Sequence, residues 1–155
     1  MLRQRQVEVP IVNNSARSTN AELAAAAVRL QGRRDFEGIR SVVTPDVVLE
    51  FPYHPLGART YQGVDALIRE ISVIKAFQTF ELDVVDVFDT GGDTVIIEGR
   101  SRGTYRSGRP DYTNHYLIVL TLAGGKVTRW REFYNPLEAM KQNYGVSAPD
   151  HATPA

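Results

Sequence analysis

Cysteine is absent from the 155 residues, so disulfides, thiolate metal sites and cysteine nucleophiles are excluded. An excess of one charge is missing too: 18 Lys and Arg are matched by 18 Asp and Glu. General nucleic-acid and acidic-membrane binders need a positive surplus, so neither partner is expected. No apolar run approaches the roughly 18–20 residues of a membrane span. Residues 1–12 lack the apolar stretch followed by small residues of a signal peptide, and the cytoplasm is the expected compartment. His, Asp and Glu show no close metal-ligand spacing, and neither a dinucleotide nor a phosphate-loop glycine motif occurs. No metal and no cofactor is therefore expected.

What is present is the composition of one globular domain, 43% hydrophobic and 23% charged, which excludes a disordered or fibrous chain. Residues 1–18 are polar and read as an arm, 19–146 as the domain, and the Pro- and Ala-rich 147–155 as a tail. The first half reads as helix. Thr19 or Asn20 can cap a helix over 21–31 that Gly32 ends, and a short helix spans 35–43. A strand over 47–51 stops at Pro52, and 53–62 reads as a loop. Leu67, Ile68, Ile71 and Ile74 give a helix over 64–77 its apolar face.

The second half reads as sheet, with strands over 81–88, 94–105, 112–122 and 126–134. Gly-rich turns at 91–93, 107–110 and 124–125 separate them. Pro136 opens a last helix that Gly145 closes. The expected fold is α+β, a cone of curved antiparallel sheet with helices packed on its concave side. Such a cone has an inside, the default place for a small apolar ligand.

Period two sorts the last strand into two faces. Arg129 and Arg131 mark one as outward, so Trp130, Glu132 and Tyr134 face in. A carboxylate between aromatics is poorly hydrated; its pKa rises and it becomes suited to proton transfer. The alternative is an ion pair of Glu132 with Arg100 or Arg102 that only holds the sheet together. His54, in a loop at the cone's mouth, and His115, on a strand with Leu117 and Val119, are the candidate partners. Phe51, Tyr53, Leu117, Trp130 and Tyr134 are the expected pocket residues. The arginines at 100, 102, 106 and 109 share one hairpin, a solvated face that could greet an anion.

Three segments carry a resemblance: Asn114-His115-Tyr116, Gly125-Lys126-Val127 and Arg131-Glu132-Phe133-Tyr134-Asn135-Pro136, with the tail Gly145-Val146-Ser147-Ala148-Pro149. They resemble the C-terminal signature of SnoaL-like proteins of the nuclear-transport-factor-2-like superfamily, nearest to the phenazine-biosynthesis A/B family. Asp35-Phe36-Glu37-Gly38 and Tyr61-Gln62-Gly63 fall at the usual places in the first half. The resemblance implies a homodimer joined through the sheet and a deep apolar pocket. It also implies acid/base chemistry by the glutamate at position 132 on a cyclic, carbonyl-bearing substrate: an isomerase, a cyclase or a condensation catalyst. The same fold also serves non-catalytic binding modules, the competing reading. Ketosteroid isomerases share the look of Glu50-Phe51-Pro52 and of residues 63–69, but their base, tyrosine and neutral acid would fall at Phe51, within 24–27 and near Leu117, all apolar. That mechanism is not expected in its known form.

Overall fold

A computed structural model describes residues 18–144. The arm apart from Ser18, the Gly145 stop, the 147–155 tail and His151 lie outside the described residues. The order is α1 (Thr19–Gly32), α2 (Phe36–Val42), β1 (Val43–Phe51), β2 (Arg59–Gln62), α3 (Val64–Ile71), β3 (Phe77–Asp89), β4 (Thr94–Tyr105), β5 (Tyr112–Ala123), β6 (Lys126–Tyr134) and α4 (Pro136–Tyr144). The strands make one unclosed sheet in the order β2-β1-β6-β5-β4-β3. Among the described residues no helix is long and apolar enough to cross a membrane.

The first helix shows why the inside exists. Ser18, not Thr19 or Asn20, is its cap: the Ser18 hydroxyl accepts from the Ala21 amide at 3.2 Å. The Ser18 amide also donates to Asp89 at the end of β3, 2.9 Å away, which ties the helix start to the sheet. Ala21, Ala24 and Val28 follow at spacings of three and four and are fully buried. Small side chains let the helix lie close on the sheet, and the same stripe carries Gln31 inward, 5% exposed. Gly32 completes the approach, because a β-carbon there would stand 2.8 Å from the Leu82 carbonyl oxygen. That oxygen is backbone and cannot turn aside. Gly32→Ala is therefore expected to lower stability by about 1–3 kcal/mol, read from chemical denaturation midpoints at unchanged slope.

Three boundaries differ from the sequence reading. The strand β1 starts at Val43 and runs through Pro45, because its pairing with β6 shifts register between Val43 and Val48. A missing amide costs nothing where the ladder is interrupted. The segment 59–62, read as loop, is a strand antiparallel to β1; its Arg-Thr-Tyr-Gln composition carries no apolar alternation. Helix α3 stops at Ile71, a 3-10 turn covers Ser72–Ala76, and Phe77 opens β3 instead of closing a helix.

The sheet is also not wholly antiparallel. Strand β1 runs parallel to β6, with Leu49 opposite Trp130 and Glu50 opposite Arg131. On the outer face Glu50 accepts from Arg129 at 2.6 and 2.9 Å and from Arg131 at 3.0 Å. Those bonds hold the Glu50 carboxyl below its ordinary pKa. They account for the two outward arginines of β6. Both fully buried Leu49 and Trp130 lie on the opposite side.

Candidate active site

Glu132 is 4% exposed, on the inner face of β6. Its Oε1 accepts from Gln31 Nε2 at 2.9 Å and from Trp130 Nε1 at 2.9 Å. Both donors are neutral, and among the described residues no arginine bonds it. Arg100 is engaged elsewhere, donating to His115 at 2.7 Å on the outer face. Burial raises the Glu132 pKa; the two hydrogen bonds favour the charged form and only partly offset this. With Oε1 already accepting two bonds, the acid proton belongs on Oε2.

The carboxyl lines a cavity of about 490 Å³. Part of its lining is apolar: Ile71, Ile74, Phe77, Phe80 and Leu82. Gly103 lets the Phe77 ring lie flat against β4, since a β-carbon there would meet that ring at 2.7 Å. The rest of the lining is rich in hydroxyls. Tyr61, Tyr105, Tyr112, Tyr116 and Tyr134 all line the space, out of seven tyrosines in the chain. Burial raises the phenol pKa of Tyr112 and raises that of Tyr116 well above its ordinary value, so both stay protonated. At the rim Arg109 stacks over Tyr105, 4.6 Å from the ring centre.

His54 lines the same cavity. Its Nδ1 accepts from the Leu56 amide at 3.1 Å. Burial first, and the nearby Arg59 second, lower its pKa, so the neutral ring is favoured. In that form the hydrogen resides on Nε2, and His54 serves as a donor.

The other expected residues divide. Phe51 and Tyr134 line the cavity and meet edge-on at 6.0 Å. Trp130 does not line it; fully buried, it stands behind Glu132 and holds the carboxyl. His115 belongs to the outer face, its side chain 54% exposed and in contact with Glu98. Leu117 is 48% exposed on that same face. Tyr53 is 60% exposed and packs on Phe133 at 5.5 Å, away from the cavity. The β5 error has one cause. Both faces of β5 carry apolar residues, so alternation alone cannot tell in from out, whereas pairing of Ile118 with Glu132 can. The inward set is Tyr112, Asn114, Tyr116, Ile118 and Leu120, and it brings two site tyrosines that the sequence reading missed.

A family model described as a SnoaL-like domain matches residues 24–130. The chain belongs to the SnoaL-like domain family. An uncharacterised PhzA/B-like protein of Pseudomonas aeruginosa is 27% identical over 129 residues, covering 82% of this chain and 92% of its own. A phenazine biosynthesis-related protein of the same organism has a similar structure at 21% identity and a TM-score of 0.71, covering 88% of this chain and 94% of its own. A protein of a Jannaschia species, named as a SnoaL-like polyketide cyclase, aligns at 23% identity and a TM-score of 0.67, covering 89% of this chain and 96% of its own. The fold is that of nuclear-transport-factor-2-like proteins.

The match to the SnoaL-like model ends at Trp130, two residues before Glu132. Near that end of this SnoaL-like domain Asn114 and Asn135 explain each other. Asn114 Oδ1 accepts from the Asn135 amide at 2.9 Å, and Asn114 Nδ2 donates to the Asn135 carbonyl at 3.1 Å. The pair pins the end of β6 to β5, two residues from Tyr112 and Tyr116 and three from Glu132. Asn135 Oδ1 then caps α4 through the Leu137 amide at 3.0 Å.

Proposed function

We propose that this SnoaL-like domain is a cofactor-independent acid/base enzyme of the isomerase or cyclase type. Its substrate is a small, largely apolar, cyclic molecule bearing a carbonyl. One observation carries the reading: a buried carboxyl, bonded among the described residues by two neutral donors, lines a cavity large enough for a bicyclic molecule. A neutral Glu132 delivers its proton to the substrate and recovers one from another position of it. His54 donates from Nε2 to an oxygen of the substrate near the cavity mouth. Phe51 and Tyr134 shape the wall, and the apolar side keeps water from the reacting carbons.

The competing reading, a binding module without turnover, predicts a carboxyl neutralised by a guanidinium. The Gln31 and Trp130 bonds to Glu132 weigh against it. The test is proton exchange in D2O with a panel of enolisable bicyclic ketones, followed by NMR. The enzyme washes deuterium into the carbon next to the carbonyl. A module binds the ketones and leaves their protons in place.

A homodimer through the outer sheet face belongs to the same proposal. Leu117 is 48% exposed there, directly opposite Phe133 on the neighbouring strand. Light scattering is expected to give twice the chain mass, and Leu117→Glu to give the monomer.

A further inference from the structure

Four side chains at the Glu132 end of the cavity form a chain of hydrogen bonds. Ser101 Oγ meets the Tyr116 hydroxyl at 3.1 Å. The Tyr116 hydroxyl meets that of Tyr112 at 3.2 Å. Asn114 Nδ2 donates to the Tyr112 hydroxyl at 2.8 Å. The orientation of the Asn114 amide is fixed, because its Oδ1 accepts two backbone amides, those of His115 at 2.8 Å and Asn135 at 2.9 Å.

Counting hydrogens gives the chain its chemical character. Three hydroxyls bring three hydrogens, and the contacts between them use two. The end of the chain is closed by a donor, Asn114, and not by an acceptor. One hydroxyl hydrogen is therefore surplus to the chain. With Ser101 as the donor to Tyr116, the surplus hydrogen belongs to a tyrosine, and both tyrosines line the cavity. Glu132, diagonal to Tyr116 across the β5–β6 pair, brings its own proton to the same end. Hydroxyl and acid hydrogens gathered at one end of a cavity suit an oxygen that carries negative charge.

We propose that Tyr116, supported by Tyr112 and Asn114, is the donor site for an anionic ring oxygen, an enolate or phenolate, at the Glu132 end of the cavity. The inference rests on the cavity being the substrate site and deepens that reading by naming the species held. It is independent of whether Glu132 moves a proton. Tyr116 touches the ligand; Tyr112 and Asn114 are positioning residues that leave the Tyr116 hydrogen free to turn inward.

The test uses 4-nitro-1-naphthol, a bicyclic probe whose absorbance separates the neutral and anionic forms. Titrated over pH with the whole chain, the anion is expected to bind more tightly than the neutral form, so the probe's apparent pKa falls on binding. Tyr116→Phe reduces that preference about tenfold or more, the worth of a hydrogen bond to a charged group. Tyr112→Phe reduces it by less, about threefold, because it removes only the support from the next hydroxyl. It also keeps Asn114 on the Asn135 carbonyl, so it carries the test if Tyr116→Phe does not fold. Preferential binding of the neutral probe, no binding of either form, or an unchanged preference in both variants overturns the proposal. An unchanged preference leaves the acid role of Glu132 standing, whereas full proton exchange in Glu132→Gln removes the acid role and leaves this site.

Discussion

Glu132→Gln is expected to lower deuterium exchange by about 100- to 10,000-fold, the range for losing a positioned general acid. The glutamine keeps the volume and an Oε1 that still accepts from Gln31 and Trp130. What it loses is the proton. The pH dependence follows from the raised pKa. Turnover holds while Glu132 is protonated and falls as pH rises through its folded value. Stability moves the same way. Between the ordinary glutamate value and the raised one, the folded chain holds a proton that the unfolded chain has released, so stability declines as pH rises. The contribution is complete below the ordinary value and is lost on passing through the folded one. In Glu132→Gln that decline is absent, and above the window the variant is at least as stable as the parent. Denaturation at several pH values, beside the exchange assay, reads both effects. Full exchange in the variant would leave Glu132 a structural acceptor and assign the proton transfer to another group.

Trp130→Ala is expected to cost about 3–5 kcal/mol, the usual penalty for emptying a large aromatic site. Trp130 is fully buried between Leu49 of β1 and Leu120 of β5. Its removal opens the sheet at the parallel pair and takes a donor from Glu132. Trp130→Phe separates the two effects, because it keeps most of the packing and removes only the indole N–H. Since that bond favours the ionised carboxyl, its loss lifts the Glu132 pKa further. The pH at which turnover falls moves upward in Trp130→Phe, while its stability loss is smaller than that of Trp130→Ala. Circular dichroism in denaturant reads the first quantity, and the exchange assay across pH reads the second. If the two substitutions cost the same stability, the packing account of Trp130 fails.

The strongest inference available from residue order concerned β6. Two arginines on alternate positions mark an outer face, so Glu132 had to turn inward, and burial of the carboxyl followed from its aromatic neighbours. The pairing of Arg129 and Arg131 with Glu50 agrees with that logic. On β5 the same rule had no such marker. Leu117 and Val119 look as apolar as Ile118 and Leu120, and His115 was drawn inward with the wrong set. Gln31 was legible in principle, since it continues the buried spacing of Ala21, Ala24 and Val28. Nothing local tied it to a residue 101 positions away.

Alternation, helix periodicity and turn chemistry are properties of neighbouring residues, so order alone determined the helices, most of the strands and the inward turn of Glu132. Register, the parallel pairing of β1 with β6, the face of β5 and the partners of Glu132 join residues far apart in the chain. Their choice depends on which surfaces exclude water together, and only the assembled sheet and its covering helix decide that.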